Sequence, residues 1–475
     1  MSTYRTTQKP IFWRLRQRER RIILFTGDLI LTLIGLTAAL VIWAIRDDYL
    51  DFTFQFLLER PPGWFYIMPV IWIALMSELY DVRRANRRSD TIRGVLIAAA
   101  VSLALYLIVF FFSPGGSLPR FGVAGFIVTA SVLTLIWRLM YIKIFTAPQF
   151  MRRVLIVGAG RSGIALSKIV NELWPPPFYV AGYIDDDPEK QGQLFESHPV
   201  LGDCTALFEI VQTQNVSDII FAISGEMSPA MLQALMQAEE QGIEVTTMPM
   251  MYEELLGRVP IFLLHSDWLL RSFLDDIHTG QLYEMTKRAV DVLGGLVGTL
   301  IFLCLYPLIG LMIAIDDGFP ILYKQNRLGK SGQHYKIIKF RTMRNDAEAD
   351  GKAIPASEND KRITRVGRFL RKTHLDEVPQ FTNILKGDMS LVGPRAERIE
   401  MLEDWQRQLP FYRARLLVRP GLTGWAQVNQ KYASSLEETA IKLEYDLYYI
   451  KHRSLTLDVS IMLQTVGTVI GFRGV

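Results

Sequence analysis

Residues 289–315, AVDVLGGLVGTLIFLCLYPLIGLMIAI, form an apolar run long enough to cross a bilayer. How this run is read decides the topology of everything after it. If it spans, the rest of the chain changes sides. Between Pro320 and Lys372, however, fourteen Lys or Arg stand against five Asp or Glu, the wrong balance for an exported flank. Pro307 interrupts the run near two-thirds of its length, where it removes a backbone hydrogen bond and bends a helix. Both features point to a re-entrant helix over 289–315 that enters the membrane, breaks at Pro307 and returns. Gly294, Gly295 and Gly298 would allow close packing at that bend.

Toward the N-terminus, the 475 residues are 50% hydrophobic and 21% charged, a balance that points to a membrane protein of two or three folded units. Four apolar runs, Ile22–Ile45, Trp64–Tyr80, Ile92–Phe112 and Phe121–Phe145, read as a four-helix transmembrane unit, the second only just long enough. The first follows a basic stretch and lacks a small-residue cleavage site, so it is expected to be an anchor and not a cleaved signal. Asp28 within it is an intramembrane charge close to the basic end. The flanks alternate: a basic N-terminus, the net acidic RDDYLDFTFQFLLERPPG, DVRRANRRSDTIR with five arginines, and SPGGSLPR with one. The positive-inside rule therefore places both ends of this unit in the cytoplasm. A formal net charge of +4 does not mark the whole chain as a nucleic-acid binder, and Cys204 and Cys304 provide neither a disulfide framework nor a zinc spacing.

Between the two membrane regions, RRVLIVGAGRSGIALSKIVNEL reads as a buried strand, a glycine turn and an amphipathic helix. VAGYIDDD, VSDIIFAIS and GIEVTTMP supply further strands, so a Rossmann-like domain with a parallel sheet is expected. Gly158, Gly160 and Gly163 form the turn, and Asp185 opens an acidic cluster 22 residues after the last glycine. In that context a turn can cradle a diphosphate, although it can also be kept for regulation or for packing alone. A dehydrogenase or epimerase would add a Tyr-x-x-x-Lys pair. The one match, Tyr335 with Lys339, lies in a strand pattern outside this domain. The expected domains are 1–148, 149–280 and 281–475.

The third region opens with YKQNRLGKSGQHYKIIKFRTM, in which YKIIKF alternates as a strand and GKSG is a turn without Walker A spacing. Lipid headgroups or a phosphorylated substrate would match this density of cations. Nucleic acid is not expected, because stacking aromatics are not interleaved. HLDEVPQFTNILKGDMSLVGPRAE then predicts a helix from Asp376 to Lys386, with Pro379 in its first turn and Gly387 as its C-cap. Asp376 would sit at or beside the N-cap, where capping alone is the commoner role. Free backbone N–H groups there, with Arg371, Lys372 and Arg395, would also attract phosphate. Glu377 beside Asp376 could share Mg2+ through hard oxygen ligands. The pair thus suits a nucleophilic carboxylate that forms an acyl-phosphate. The stretches DWQRQLPFYRARLLV and SLTLDVSIMLQTVGTVIGF read equally as membrane-surface helices or as core helices.

YKIIKFRTM, LRKTHLDEVPQFTNILKGDMSLVGPR and RPGLTGWAQVN, in that order after a proline-containing membrane helix, resemble the monotopic phosphoglycosyl transferases. More narrowly, the chain resembles the large polyprenyl-phosphate hexose-1-phosphate transferases that begin exopolysaccharide, capsule or O-antigen units. The resemblance implies an α+β membrane protein: a four-helix bundle, a Rossmann-like α/β domain, and a monotopic catalytic domain with a re-entrant helix. It implies transfer of a sugar 1-phosphate from a UDP-sugar to undecaprenyl phosphate, with Mg2+ as cofactor and UMP as product. Asp376 corresponds to the nucleophile and Glu377 to its partner, both at the metal, and Arg371, Arg395, Lys339 and Arg341 fall on phosphate-binding motifs. The implied location is the bacterial inner membrane, with the catalytic domain on the cytoplasmic face. Membrane lipids are expected partners, and a homodimer through the first helices is a further candidate. Two departures stand out: Gln430 where glycine is common and Ala396 where proline is common. The rival reading is a membrane-anchored nucleotide-sugar oxidoreductase or epimerase that works through the glycine turn.

Overall fold

The computed structural model describes residues 17–45, 51–80, 85, 88–112, 120–145, 151–223, 225, 227–263, 280–344, 360, 362–430 and 435–470. Most of the loop charges behind the orientation argument lie outside the described residues. The chain divides into two compact units, Met1–Glu254 and Leu255–Val475.

In the first unit, helices α1 (Gln17–Ala44), α3 (Arg88–Phe112) and α4 (Arg120–Phe145) contain stretches long and apolar enough to cross a membrane. The second expected span differs. It is divided into a 3-10 turn (Gly63–Ile67), helix α2 (Met68–Leu75) and another 3-10 turn (Ser77–Tyr80). Hydropathy along the run does not register the two changes of helix type, and α2 begins with Pro69 in its first turn. The 13 residues Gly63–Leu75 extend about 20 Å at α-helical rise, short of a hydrocarbon core of about 30 Å. Trp72 and Phe126 meet edge to face in the core of this helical region, beside Leu36 and Leu40. Asp28 of α1 has its partner within the helical region. It is fully buried and bonds Arg138 of α4 at 2.6 Å, while Arg138 also donates to the Leu79 carbonyl at 2.9 Å. An apolar environment leaves a charge few options other than a charged partner on a neighbouring helix.

The expected parallel sheet is present. Strands β1 (Arg153–Val157), β2 (Tyr179–Ile184), β3 (Leu194–Phe195), β4 (His198–Gly202), β5 (Asp218–Phe221) and β6 (Glu244–Thr247) lie in the order β3-β4-β2-β1-β5-β6. All neighbouring pairs are parallel except β3 with β4. Central β1 is covered on both faces, which accounts for its unbroken apolar run. Helix α5 (Arg161–Glu172) follows the glycine turn, and α6 (Leu207–Thr213) and α7 (Pro229–Glu240) are further crossovers.

The second unit begins ahead of the boundary expected at 280/281. Val259 and Ile261 are buried in its core, and Trp425 donates its indole N–H to the Gly257 carbonyl at 2.7 Å. Its long helix α8 (Gln281–Asp317) stays helical through Pro307, which corrects the expected break there: the residues on either side of the proline, Phe302, Tyr306, Ile309 and Ile313, all pack against this unit and hold the helix on one line. The hairpin of β7 (Leu322–Leu328) and β8 (His334–Phe340) pairs from Leu322↔Phe340 to Leu328↔His334 around the GKSG turn. Helices α9 (Arg365–Lys372) and α10 (Phe381–Lys386) come next, then β9 (Ser390–Val392), α11 (Ile399–Gln408), β10 (Gly421–Thr423), α12 (Trp425–Asn429), α13 (Leu436–Lys451) and α14 (Leu455–Ile470). Strands β9 and β10 pair in parallel.

One face of α8 is fastened along its length to this unit. Tyr283 and Lys287 reach Asp458 of α14 at 3.0 and 2.9 Å. Arg288 donates to the Ile384 and Leu385 carbonyls at 2.9 Å each, capping the end of α10. Asp291 accepts from the Ser390 hydroxyl and the Leu391 N–H. Gly298 lies flat on the Phe381 ring, where any Cβ would collide. The glycines therefore pack against the segment 381–391, well before Pro307, and not at a bend. Beyond them Phe302 and Tyr306 meet Phe340, and Ile309 and Ile313 share a cluster with Leu370. The opposite face of α8 exposes Leu293, Val297, Leu300, Leu308, Leu311 and Ile315.

The two amphipathic stretches resolve toward the core. Leu409, Tyr412 and Val418 are buried there, and so is Ile461 of α14.

Candidate active site

The acid pair lies on a 3-10 segment, Leu375–Gln380, between α9 and α10. Helix α9 stops at Lys372, and His374 takes a left-handed conformation (φ 58°) before the tight turn. This corrects the expected single helix from Asp376 to Lys386: only Phe381–Lys386 is α-helical, and Asp376 is inside the turn and not at an N-cap. A left-handed residue just upstream breaks the register that a capping aspartate needs. The end of the segment is as expected, with Gly387 closing α10 at φ 97°.

Of the five cationic side chains set near this pair from sequence, Lys339, Arg395 and Arg371 gather there, and Lys372 is exposed at the end of α9. Lys339, in a largely buried stretch of β8, bonds Glu377 Oε1 at 2.6 Å. Arg395, on the loop after β9, reaches the same oxygen at 3.2 Å. Arg371, in the last turn of α9, is steadied by its Nε donating to Thr342 Oγ1 at 3.0 Å and acts on Asp376 through charge. Arg341 is directed elsewhere: its buried guanidinium donates to the Asp317 and Gly318 carbonyls at 2.7 Å each, capping α8. Lys339 on β8 and Arg341 just beyond it thus serve different ends, one the acid pair and one the end of α8.

The two carboxyls have opposite environments. Asp376 is 9% exposed and accepts no hydrogen bond among the described residues. Burial, then the neighbouring Glu377, push its pKa up from 3.8 to about 6, against the pull of Lys339, Arg371 and Arg395. Burial alone would raise Glu377 too, but Lys339 and Arg395 more than offset it and hold this carboxyl well below the usual range. Adjacent acids pushed apart in this way are suited to different roles. Glu377 is a fixed anion within a cationic bracket, and Asp376 is a poorly solvated, unbonded carboxylate, which is what a nucleophile requires.

The donor set also bears on Mg2+. No cluster of three or more His, Cys, Asp or Glu exists among the described residues. Mg2+ is often held by one or two carboxylates together with substrate phosphates and water. Glu377 Oε1 is taken by the two cations, whereas Asp376 keeps both its oxygens unbonded among the described residues. The pair fits a substrate-borne Mg2+ and not a closed protein cage.

Sequence reasoning missed the residues that hold the pair in place. Asn383, fully buried on α10, donates to the Lys336 carbonyl at 2.9 Å and accepts from the Ile338 N–H at 3.2 Å. It thereby stitches the segment after the acids to the strand that carries Lys339. A polar amide on the buried side of a short helix was the available signal.

In the first unit, the glycine turn is closed on itself. Gly158 donates to the Ile184 carbonyl at 2.7 Å, and a Cβ on Gly163 would run into the Gly158 carbonyl. A Cβ on Gly160 would meet open space. Asp185 accepts from the Ala159 N–H at 2.8 Å and pairs with Lys190 at 3.1 Å. The acid that opens the cluster after the glycines therefore occupies the turn itself.

Comparison with known proteins gives two family matches: bacterial sugar transferase over residues 282–472 and CoA-binding domain over residues 76–249. The chain is 41% identical to the UDP-N-acetylgalactosamine-undecaprenyl-phosphate N-acetylgalactosaminephosphotransferase of Aeromonas hydrophila, over 46% of this chain and 50% of that protein. It is 39% identical to a UDP-glucose:undecaprenyl-phosphate glucose-1-phosphate transferase of Caulobacter vibrioides, over 38% of this chain and 69% of that one. A Bacillus subtilis protein named as a putative undecaprenyl-phosphate N-acetylgalactosaminyl 1-phosphate transferase is 40% identical over 30% of this chain and 83% of its own length. The chain spans about half the length of the Aeromonas relative. The matched family region contains the acid pair, its three cations and the membrane helix, and this chain belongs to the bacterial sugar transferases.

Proposed function

We propose that this protein transfers a sugar 1-phosphate from a UDP-sugar to undecaprenyl phosphate at the cytoplasmic face of a bacterial inner membrane, the first step in building a glycan repeat unit. The observation that carries this reading is the buried, unbonded Asp376 beside a Glu377 clamped by Lys339 and Arg395. Asp376 attacks the β-phosphorus of the donor. The Pβ–O bond to the α-phosphate breaks, and its electrons leave with UMP. The phosphate oxygen of the lipid carrier then attacks the phosphosugar on Asp376 and restores the carboxylate, giving the lipid diphosphate sugar. Arg371, Arg395 and Lys339 surround the position at which negative charge accumulates. Mg2+, held by Asp376, Glu377 and the donor phosphates, would supply the screening that lets an anion approach a diphosphate.

The fastening of α8 supports a course that meets the membrane from one side and does not cross it. The helix extends about 55 Å at 1.5 Å per residue, and polar contacts at both of its ends belong to the same unit. An upright crossing would put one of those ends beyond about 30 Å of hydrocarbon. A helix lying along one face of the membrane, with its exposed leucines in lipid, keeps both on one side without a break at Pro307. The oxidoreductase reading finds less support, because Asp185 already bonds within the glycine turn.

The test is UMP release by the purified protein with Mg2+, undecaprenyl phosphate and a panel of UDP-hexoses and UDP-N-acetylhexosamines, beside Asp376→Asn. Release by the wild type alone, with one preferred donor, is expected. No release from any donor, or equal release by both proteins, overturns the reading.

A further inference from the structure

Arg395 is poorly placed to hold itself. Its side chain is 44% exposed and, among the described residues, makes a single 3.2 Å bond to Glu377, a type of pair worth about 0–1 kcal/mol. Its position must come from its backbone. Pro394 has no N–H to offer, but its carbonyl accepts from Gly421 at 2.9 Å, and Gly393 donates to the Thr423 carbonyl at 2.9 Å. The next anchor comes from a residue far from the acid pair. Arg415 is buried, and its guanidinium Nη2 donates to the Arg395 carbonyl at 3.0 Å. The other arms of the fork are fixed: Nε to Asp446 of α13 at 2.8 Å, and Nη1 to Glu397 and to the Tyr412 hydroxyl at 2.9 Å each. Lys442 of α13 holds the same Glu397 oxygen at 2.6 Å. From the opposite side Arg327 of β7 donates to the Ala396 carbonyl at 3.2 Å.

We propose that Arg415, braced by Asp446 and Glu397, is a positioning residue that sets the Arg395 guanidinium against Glu377 by holding the Arg395 main-chain carbonyl. The proposal rests on reading the acid pair as the reactive centre. A simple buried ion cluster would be complete with Arg415, Lys442, Glu397 and Asp446, two charges of each sign. Here one arm of the fork goes to the backbone of a residue that bonds the pair, and the fork's own acid, Glu397, lies two residues along the same loop. The planar guanidinium fixes the angles between these bonds, which lysine cannot do.

The test is a double-mutant cycle on kcat/KM for UMP release, combined with amide hydrogen exchange on the full-length protein in detergent. Arg415→Gln with Asp446→Asn removes the fork without leaving a buried unpaired acid. Asp446→Asn alone keeps the shape and weakens the brace, so it serves where the pair of changes does not fold. Expected losses are about 30-fold for the pair and about 3-fold for the single change, and each falls to less than twofold when Arg395 is already alanine. Equal losses on both backgrounds overturn the proposal, since a general structural defect multiplies through. Exchange is to be read whether or not UMP is released. Faster exchange confined to 393–398 in Asp446→Asn is expected. Unchanged exchange there, or acceleration spread evenly over the second unit, overturns the proposal independently of the assigned reaction.

Discussion

Two turns in this protein each place an acid where a phosphate could bind, and they differ in what is left unpaired. At the glycine turn of the first unit, Asp185 takes the Ala159 N–H and Lys190, so acid, backbone donor and cation satisfy one another. At the turn after α9, the bonds fall unevenly: Glu377 takes both Lys339 and Arg395, and Asp376 is left buried with none among the described residues. A completed set of bonds stabilises a fold. A set left open, in a site that desolvates it, stores reactivity at a cost in stability. The sequence pattern of glycines and acids is similar in kind to a binding motif, but the residual valence decides which turn can do chemistry.

The largest expected effect comes from closing the open site. Asp376→Asn should cut UMP release by about a thousandfold or more, measured under single-turnover conditions. The same change should stabilise the protein. Because the folded-state pKa of Asp376 is raised, its contribution to stability is fully present below its unfolded value near 3.8 and is lost as pH rises through about 6. Asp376→Asn should therefore unfold at a temperature several degrees above wild type at pH 8, a gain of roughly 3 kcal/mol, and close to wild type at pH 4. A helix-capping aspartate would show the reverse, with stability lost on substitution.

Next in size is Lys339→Met, which leaves Glu377 with Arg395 alone and should slow release about a hundredfold. The depressed Glu377 runs opposite to Asp376: its contribution is present above its unfolded value and is lost only as pH falls through its acidic folded value. Melting curves of Lys339→Met should accordingly lose most stability relative to wild type at neutral pH. A smaller effect is the pH profile itself. With kcat/KM followed from pH 8 to pH 5, the rate should fall below about pH 6 as Asp376 takes a proton, approaching tenfold per pH unit.

The smallest effects belong to the closed turn. Asp185→Asn and Gly160→Ala should each change UMP release by less than about twofold, and Gly160→Ala should not shift the melting temperature, since its added methyl meets open space. Gly163→Ala is the sharp contrast within that turn, because its methyl collides with the Gly158 carbonyl. It should destabilise the first unit while leaving the acid pair untouched.

Local chemistry was the legible part of the sequence. The alternation in YKIIKF marks the strand that delivers Lys339, and the density of cations around HLDE marks an anion-handling site. The parallel sheet was legible from buried strands separated by amphipathic helices. What failed depended on single backbone angles or distant pairings. One left-handed residue, His374, moves Asp376 from a cap into a turn. Segmentation at Pro69 and Met76 turns a nominal span into shorter pieces that an average over hydropathy does not separate. Arg415 sits in FYRARLL, whose mixture of aromatics and arginines looks the same in sequence whether the cation snorkels or is buried against Asp446 from α13. Arg341 looks like Lys339 for the same reason: charge is visible in a sequence, and direction is not.

For the proposed reaction, the fastening of α8 has a consequence for how the two substrates would meet. A helix tied to one body from Tyr283 to Asp317 cannot change its depth without carrying Asp376 along, because Arg288 and Asp291 grip the segments on either side of Gly387. With α8 in the membrane as proposed, height above the lipid is thereby built into the protein as a fixed length. A carrier whose phosphate rides at the headgroup layer needs only to diffuse sideways, and the encounter becomes a search over a plane with the vertical coordinate already solved.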